Sequence, residues 1–308
     1  MAGSSAAWGS RWEAYWFAPV APHSAALIRI MFGGLVLACL AGMTPVEMFW
    51  SLNGLAPLPG NPAGIRWWLL DHGFGSLVGH ALFVWLAVAA TAALVGYKSG
   101  LAVLATFAGL WLQPRWNRLP LSSAHQVLLA VFFCLIWMET GQVWSVDAWR
   151  RARGPLSTPL PLPVIWPLRL MRFQISVIYM SSALWKLLSP SWRDGSAVHW
   201  VLSQNMFQRF PWPVPASVEP VLPLLTWGIL AFEFLFPLLI WYRATRTATL
   251  VIGLGLHLGL WLTLELGPFS FIMAASYVAF LDPAVVEERL QNTFRNPHTI
   301  PSSRTSIV

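Results

Sequence analysis

The sequence predicts an all-α polytopic membrane protein of about eight transmembrane helices with two long ordered outer loops. Three observations carry that prediction. Hydrophobic residues make up 56% of the chain and charged residues 10%, whereas a surface facing water uses roughly 25% charged residues. Apolar runs of spanning length recur along the chain. The 20 tryptophans gather near the ends of those runs, as at Trp50, Trp116, Trp144, Trp192 and Trp241, where amphipathic rings suit the headgroup zone.

In chain order, the runs predict helices near 24–43, 78–97, 100–113, 124–140, 167–188, 221–242, 246–264 and 268–282. Ahead of them, residues 1–23 form an N-terminal segment in which Trp12, Trp16 and Phe17 mix with Arg11 and Glu13, a pattern that suits lying flat on a membrane. The first run, Ala25 to Met43, is long enough to span and is read as a retained helix rather than a cleaved signal. The third is short, stopping at Gln113-Pro114 unless it is tilted or continues toward Leu121. Connections 44–77 and 189–220 are rich in Pro, Gly and Trp and predict ordered loops or short surface helices. Residues 24–283 make up the membrane domain. Residues 284–308 read as a frayed, polar cytoplasmic tail.

The net charge of +7 is spread singly and in small groups between apolar runs, which is a topology signal and excludes nucleic acid as the expected partner. With an even number of spans, ten basic residues, including Lys98, Arg150, Arg151, Arg153, Arg243, Arg295 and Arg304, fall on the side of the termini. Five fall opposite: Arg66, Arg115, Arg118, Arg193 and Arg209. The bias places both termini in the cytoplasm and the two long loops outside. The compact single-domain form, with no glycosylation or retention signal found, makes a bacterial inner membrane the expected address. Cys39 and Cys134 lie within apolar runs and read as packing residues. No metal-spaced Cys/His set, phosphate-cradling glycine loop or Gly-x-Ser-x-Gly elbow is present, so no metal is expected.

Charges inside a bilayer cost about 2.5–3.5 kcal/mol each, so every one needs a reason. Arg29, Glu139, Arg169 and Arg172 sit toward the inner face and read as a structural ion-pair cluster. Glu233 and His257 are deeper, at matching depths on consecutive helices, and are placed to meet across a helical hairpin. His257 also lies within Gly253-x-Gly255-x-x-x-Gly259, a spacing that permits close approach of a helix or ligand. Tyr179, Ser182 and Lys186 fall on one helical stripe that faces the bundle or a cavity rather than lipid. A desolvated lysine loses proton affinity, so Lys186 is a candidate base; the alternative is a lysine snorkelling to the interface. His125, His80 and Glu265 fall toward the outer face near the depth of Lys186, which makes a pocket beneath the two loops plausible.

Four stretches resemble a known family. They are Leu27-Ile28-Arg29-Ile30 with Gly33-Gly34; Ser122-Ser123-Ala124-His125-Gln126-Val127-Leu128; Tyr179 through Lys186-Leu187 to Trp192-Arg193-Asp194-Gly195; and His257-Leu258-Gly259 through Glu265 to Phe269-Ser270-Phe271-Ile272-Met273. Over roughly residues 24–283 the chain resembles the HTTM (horizontally transferred transmembrane) domain shared with vitamin K-dependent γ-carboxylase. The resemblance implies that Lys186 is the base that deprotonates vitamin K hydroquinone or another quinol, ahead of carboxylation of a glutamyl or small-molecule substrate. It places His257 in the active region and His125 at a second family histidine. Trp185-Lys186 stands where the carboxylase has two adjacent lysines. The carboxylase also carries a large lumenal C-terminal portion, whereas this sequence stops soon after its last apolar run, so the expectation is a domain-only member.

Two functions stand at this stage. One is a carboxylase-like enzyme acting on a quinol, with Lys186 and His257 catalytic and Tyr179, Ser182, His125, Glu233, Glu265 and Phe269 lining the site. The other is a non-catalytic assembly factor or a lipid- or quinone-binding membrane protein. A transporter is less favoured, because no paired broken helices stand at related positions.

Overall fold

The computed structural model describes residues 11–50, 65–116, 122–154, 160–210 and 215–294. Within them the chain is helical, with two isolated bridges, Pro19 to Val164 and Gln208 to Leu264. Residues 11–17 form α1. There follow α2 (His23–Ala41), α3 (Val46–Trp50), α4 (Ile65–Asp71), α5 (Gly75–Val95), α6 (Ser99–Trp116), α7 (Ser123–Ile136), α8 (Val146–Arg153) and α9 (Trp166–Leu188). The chain continues with α10 (Pro190–Arg193), α11 (Ala197–Ser203), α12 (Leu222–Leu239), α13 (Arg243–Thr263), α14 (Phe269–Ser276) and α15 (Pro283–Phe294).

Seven of the eight apolar runs become single α-helices within a few residues of their predicted ends, and the eighth, 268–282, divides into α14 and a 3-10 turn over Tyr277–Phe280. Among the described residues, three segments are long and apolar enough to cross a bilayer: His23–Ala41, Gly75–Val95 and Glu219–Leu239. A fourth candidate is a bent pair, Phe269–Phe280 with Pro283–Arg289, meeting at 101°. The other long helices fall short for visible reasons. At 1.5 Å per residue the 14 residues of α7 reach about 21 Å, against a core of about 30 Å. α9 carries Arg169, Arg172 and Lys186, α13 begins with Arg243 and Arg246, and α6 ends on Gln113, Pro114 and Arg115.

α2 is central and packs on α5, α7, α14 and α15, while α9 joins α7 to α12. Ile28, Phe32, Val36, Phe132, Ile175 and Phe236 form one continuous core. A Cβ at Gly33 would lie 3.0 Å from the backbone nitrogen of Leu94, so this glycine lets α2 and α5 touch through their backbones. The outward faces are apolar as well: Val88 and Leu101 are each 65% exposed and Leu224 is 64% exposed. A helix apolar on both its packed and its open faces belongs in hydrocarbon.

The predicted ion-pair cluster does not form. Arg29 is fully buried and donates to four backbone carbonyls: Ala93 at 2.5 Å, Leu94 at 2.8 Å, Thr140 at 3.1 Å and Trp144 at 2.7 Å. The last carbonyls of a helix lack intrahelical partners, and a planar five-donor fork satisfies several at once. Arg172 likewise caps, donating to Ala279 and Leu281 at 2.6 and 3.1 Å. Arg169 lies 3.4 Å over the Tyr15 ring, and Glu139 accepts from Gln142. Among the described residues, no ion pair joins Glu139 to any of these arginines.

The same region fixes the start of α6. Asp147 accepts from Lys98 N, Ser99 N and Ser99 Oγ at 2.7–2.8 Å, a cap supplied from 48 residues away. Gly96 ends α5 with φ +70°, and a Cβ there would meet Ser145 and Arg29.

The frayed-tail prediction fails over residues 283–294, which form α15. Asp282 accepts from Ala284 N at 3.1 Å, Val286 is buried, and Glu287 lies 3.7 Å from His23. An Asp cap before Pro at the first helical position starts a helix, and burial of Val286 against α2 holds it. Connection 189–220 carries α10 and α11, and connection 44–77 carries α3 and α4, as predicted for their described parts. α6 runs through Pro114 to Trp116. Trp8, residues 51–64, Arg118, Leu121, Arg295 and Arg304 lie outside the described residues. Both cysteines are free.

Candidate functional site: an apolar cavity between α9, α12 and α13

α9, α12, α13 and α14 line a half-open cavity of about 580 Å³, covered at one side by α11 and Trp192. The loop that covers it is tied down by polar bonds. Thr226 Oγ1 donates to the Gly195 carbonyl at 2.9 Å and accepts from Val198 N at 3.2 Å, and Trp227 Nε1 donates to the Arg193 carbonyl at 3.2 Å. Farther along, Glu265 N donates to Phe207 O at 2.8 Å, and Arg209 pairs with Glu265 at 3.3 Å.

Six of the eight residues named from sequence line this cavity: Tyr179, Ser182, Lys186, Glu233, His257 and Phe269. The stripe on α9 faces inward as predicted. Trp185 is 74% exposed on the opposite face, so of the two neighbouring positions it is Lys186 that reaches the cavity. Glu265 stands beside the cavity, between the lining residues Leu264 and Leu266, in its pair with Arg209. His125 does not join the group. It is buried on α7 beside a separate space of about 60 Å³, with Gln113 and Met43, and its Nε2 has no hydrogen-bond partner. His80 bonds the Ser76 carbonyl at 2.9 Å, one turn back on its own helix.

The predicted contact between Glu233 and His257 is not made. Glu233 is the partner of Lys186, whose ammonium donates to Oε1. The Lys186 Nζ also lies 4.6 Å over the Trp192 ring, so one cation is held by a carboxylate and an aromatic face. His257 bonds instead to Tyr179, with Nε2 2.7 Å from the hydroxyl, and Tyr179 lies 2.5 Å from the hydroxyl of Tyr277. Phe236 stacks on Tyr179 at 4.0 Å between ring centroids and fixes that ring. Their partners, Lys186 and Tyr179, stand seven positions apart on α9, so the two residues serve different levels of the cavity. Rotation about the axis, which depth does not report, turns each toward α9.

Sequence reasoning missed Tyr277 and the role of Trp192. Tyr277 is a lone hydroxyl-bearing ring at the end of an apolar run, which was a usable signal, because a buried tyrosine hydroxyl needs a partner. Two polar atoms of lining residues, Glu233 Oε2 and His257 Nδ1, are buried without a protein partner. Among the described residues no group of His, Cys, Asp and Glu is placed to hold a metal ion.

Taken together, the fold and this cavity define an all-helical integral membrane protein with a largely apolar chamber and a polar patch on its wall. It belongs to the HTTM domain family, whose model matches residues 17–284. A Bacillus subtilis (strain 168) protein, the uncharacterized protein YitO, is 29% identical over 131 residues; the match covers 40% of this chain and 41% of that protein. The chain therefore matches about two fifths of that relative's length. No solved structure matches it.

Proposed function

We propose that the chain is a carboxylase-like HTTM enzyme that binds a quinol, such as vitamin K hydroquinone, in the chamber between α9, α12 and α13 and removes a proton from it. The observation that carries this reading is the Lys186–Glu233 pair set in an apolar wall beneath Trp192. The lining suits such a ligand. Its greater part is aliphatic, which fits an aromatic ring and isoprenoid tail, and its polar groups are few and convergent. Unpartnered Glu233 Oε2 and His257 Nδ1 mark places where a hydroxyl-bearing molecule would be held. A quinol, when bound, supplies a weakly acidic hydroxyl and, once deprotonated, a reductant for oxygen.

Low dielectric penalises separated charges, so the pair can pass the Nζ proton to Glu233 Oε1 and leave a neutral amine and a carboxylic acid. The freed amine lone pair then accepts the substrate hydroxyl proton: one O–H bond breaks and one N–H bond forms. Trp192 and α11 cover that exchange on one side. His257 and Tyr179 orient the ligand end of the chamber. The glutamyl or small-molecule acceptor is the finer part of the same reading.

The reading includes eight crossings in a bacterial inner membrane with both termini in the cytoplasm, and the bias of basic residues supports that orientation. Cysteine labelling from outside is expected to reach residues 189–220 and to miss residues 150–153; the reverse pattern overturns it.

A non-catalytic binder of quinone or lipid is the second reading, favoured by Lys186 and Tyr179 already having protein partners. The test is quinol turnover in nanodiscs with reduced vitamin K and oxygen, following quinone epoxide. Epoxide from the wild type that disappears in Lys186→Ala supports the enzyme. Absence of epoxide from a folded wild type that still binds the quinone overturns catalysis in favour of the binder.

A further inference from the structure

On the far side of α5 from the core, α5 and α6 form an open groove of about 510 Å³ facing the bilayer. Its walls are Val84, Trp85, Val88 and Leu101, all exposed. Tyr97 and Lys98 close one end. There the character changes from hydrocarbon to cation. Lys98 Nζ lies 5.9 Å and the Arg150 guanidinium 4.7 Å from the centre of the same Tyr97 ring. One turn along α8, Arg153 stacks at 4.1 Å on the exposed Trp149. Two like charges share one ring, and among the described residues none of Lys98, Arg150 and Arg153 forms an ion pair. Asp147, on α8 beside them, is committed to the Lys98 and Ser99 amides and the Ser99 hydroxyl. Arg151 turns away to donate to the Gly141 carbonyl at 2.6 Å.

We propose that this groove is a binding site for one anionic phospholipid, with an acyl chain along α5 and α6 and the phosphate between Lys98 and Arg150. Charge complementarity selects this occupant. A zwitterionic lipid offers the same chain and phosphate but adds an ammonium that the paired cations repel, and a soluble anion leaves the apolar groove unused. Tyr97 holds both cations at the rim by their attraction to its ring face. The amphipathic α8, with Trp149 toward lipid, sets the depth of the headgroup. The site is separate from the chamber between α9, α12 and α13 and does not depend on its chemistry.

The test uses the full-length protein with phosphatidylglycerol and with phosphatidylcholine of the same chains, reading retained lipid by native mass spectrometry. Wild type is expected to retain phosphatidylglycerol and to release phosphatidylcholine. Lys98→Gln/Arg150→Gln is expected to lower phosphatidylglycerol affinity about 30-fold, each interfacial cation contributing roughly fivefold. Lys98→Arg/Arg150→Lys keeps the charges and is expected to bind as wild type does, which separates loss of charge from loss of fold. Val88→Trp fills the groove without touching the charges and is expected to weaken binding as well. Equal retention of the two lipids by wild type overturns the site, and so does undiminished binding by the double glutamine variant. Loss of phosphatidylglycerol to added inorganic phosphate, with Val88→Trp unaffected, overturns the groove and leaves only a surface anion contact.

Discussion

Lys186 and Glu233, 47 positions apart in sequence, form an ion pair on the wall of a mainly apolar chamber. Their side chains are 22% and 10% exposed. Removing one partner leaves the other charged and largely desolvated, at a cost of about 3 kcal/mol. Lys186→Ala and Glu233→Ala are each expected to lower thermal stability in nanodiscs. Lys186→Met/Glu233→Leu is expected to melt closer to wild type than either single variant while losing quinol turnover. A double variant with additive losses would show that the pair contributes no mutual stabilisation.

Tyr179→Phe removes the hydroxyl that joins His257 to Tyr277 and leaves two buried polar groups unpaired. A buried unsatisfied group costs about 1–3 kcal/mol. The variant is expected to lose stability in that range and to bind quinone more weakly. Calorimetric unfolding unchanged from wild type would show that the two groups find other partners.

Gly253 and Gly255 are expected to behave oppositely. A Cβ at Gly253 would fall 2.2 Å from the Tyr277 hydroxyl, and Tyr277 is fixed by its bond to Tyr179 and by stacking on Phe236. Gly253→Ala must push that ring aside, so it is expected to destabilise by about 1–3 kcal/mol, the usual range for overpacking. Gly255 lines the chamber with open space beside it. Gly255→Leu is expected to leave the melting temperature near that of wild type and to weaken quinone binding by shrinking the chamber. Unfolding scans and a binding titration of the two variants check both statements.

Arg29→Lys keeps the charge but loses the fork that serves four carbonyls. Each hydrogen bond from a charged donor contributes about 1.5–3 kcal/mol, and a lysine in that packed space reaches fewer acceptors. The variant is expected to express poorly in the folded state, and Arg29→Met more poorly still. Wild-type yield and melting temperature for Arg29→Met would contradict the capping role.

Asp147 brings pH dependence at the turn between α5 and α6. Burial pushes its carboxyl up, but bonds from the Ser99 amide and hydroxyl, the Lys98 amide and the charge of Arg151 outweigh that and hold it below the usual carboxylate range. A depressed folded value means that the stabilisation is complete above the unfolded value, about 4 for aspartate. It is lost as pH falls through the lower folded value. Wild type is therefore expected to lose stability on acidification below about pH 4 more steeply than Asp147→Asn. Parallel acid limbs in melting experiments would remove Asp147 as the source.

The helices and the inward stripe of Tyr179, Ser182 and Lys186 were legible because apolar length and a 3.6-residue period are local properties. Which helix each residue meets was not. Glu233 and His257 each found a partner on α9 because helix rotation is set by packing, which no single helix records. The partners of Arg29 were invisible for a different reason: backbone carbonyls have no residue-type signature. α15 was missed although Asp282-Pro283 announces it, since a polar composition was read ahead of the cap. His125 was drawn toward the chamber by depth and by the family resemblance, and on α7 it faces a separate small space instead.

The carbonyls that hold Arg29 come from Ala93, Leu94, Thr140 and Trp144, so they leave the ribosome long after the arginine does. The first apolar helix must therefore enter the membrane carrying a guanidinium whose partners do not yet exist. It keeps that charge near water or insertion machinery until the segment around Trp144 is made. Biogenesis is thus timed by this arginine: nascent chains stalled before residue 144 should remain extractable or chaperone-bound, and only longer ones should lock their first helix in place.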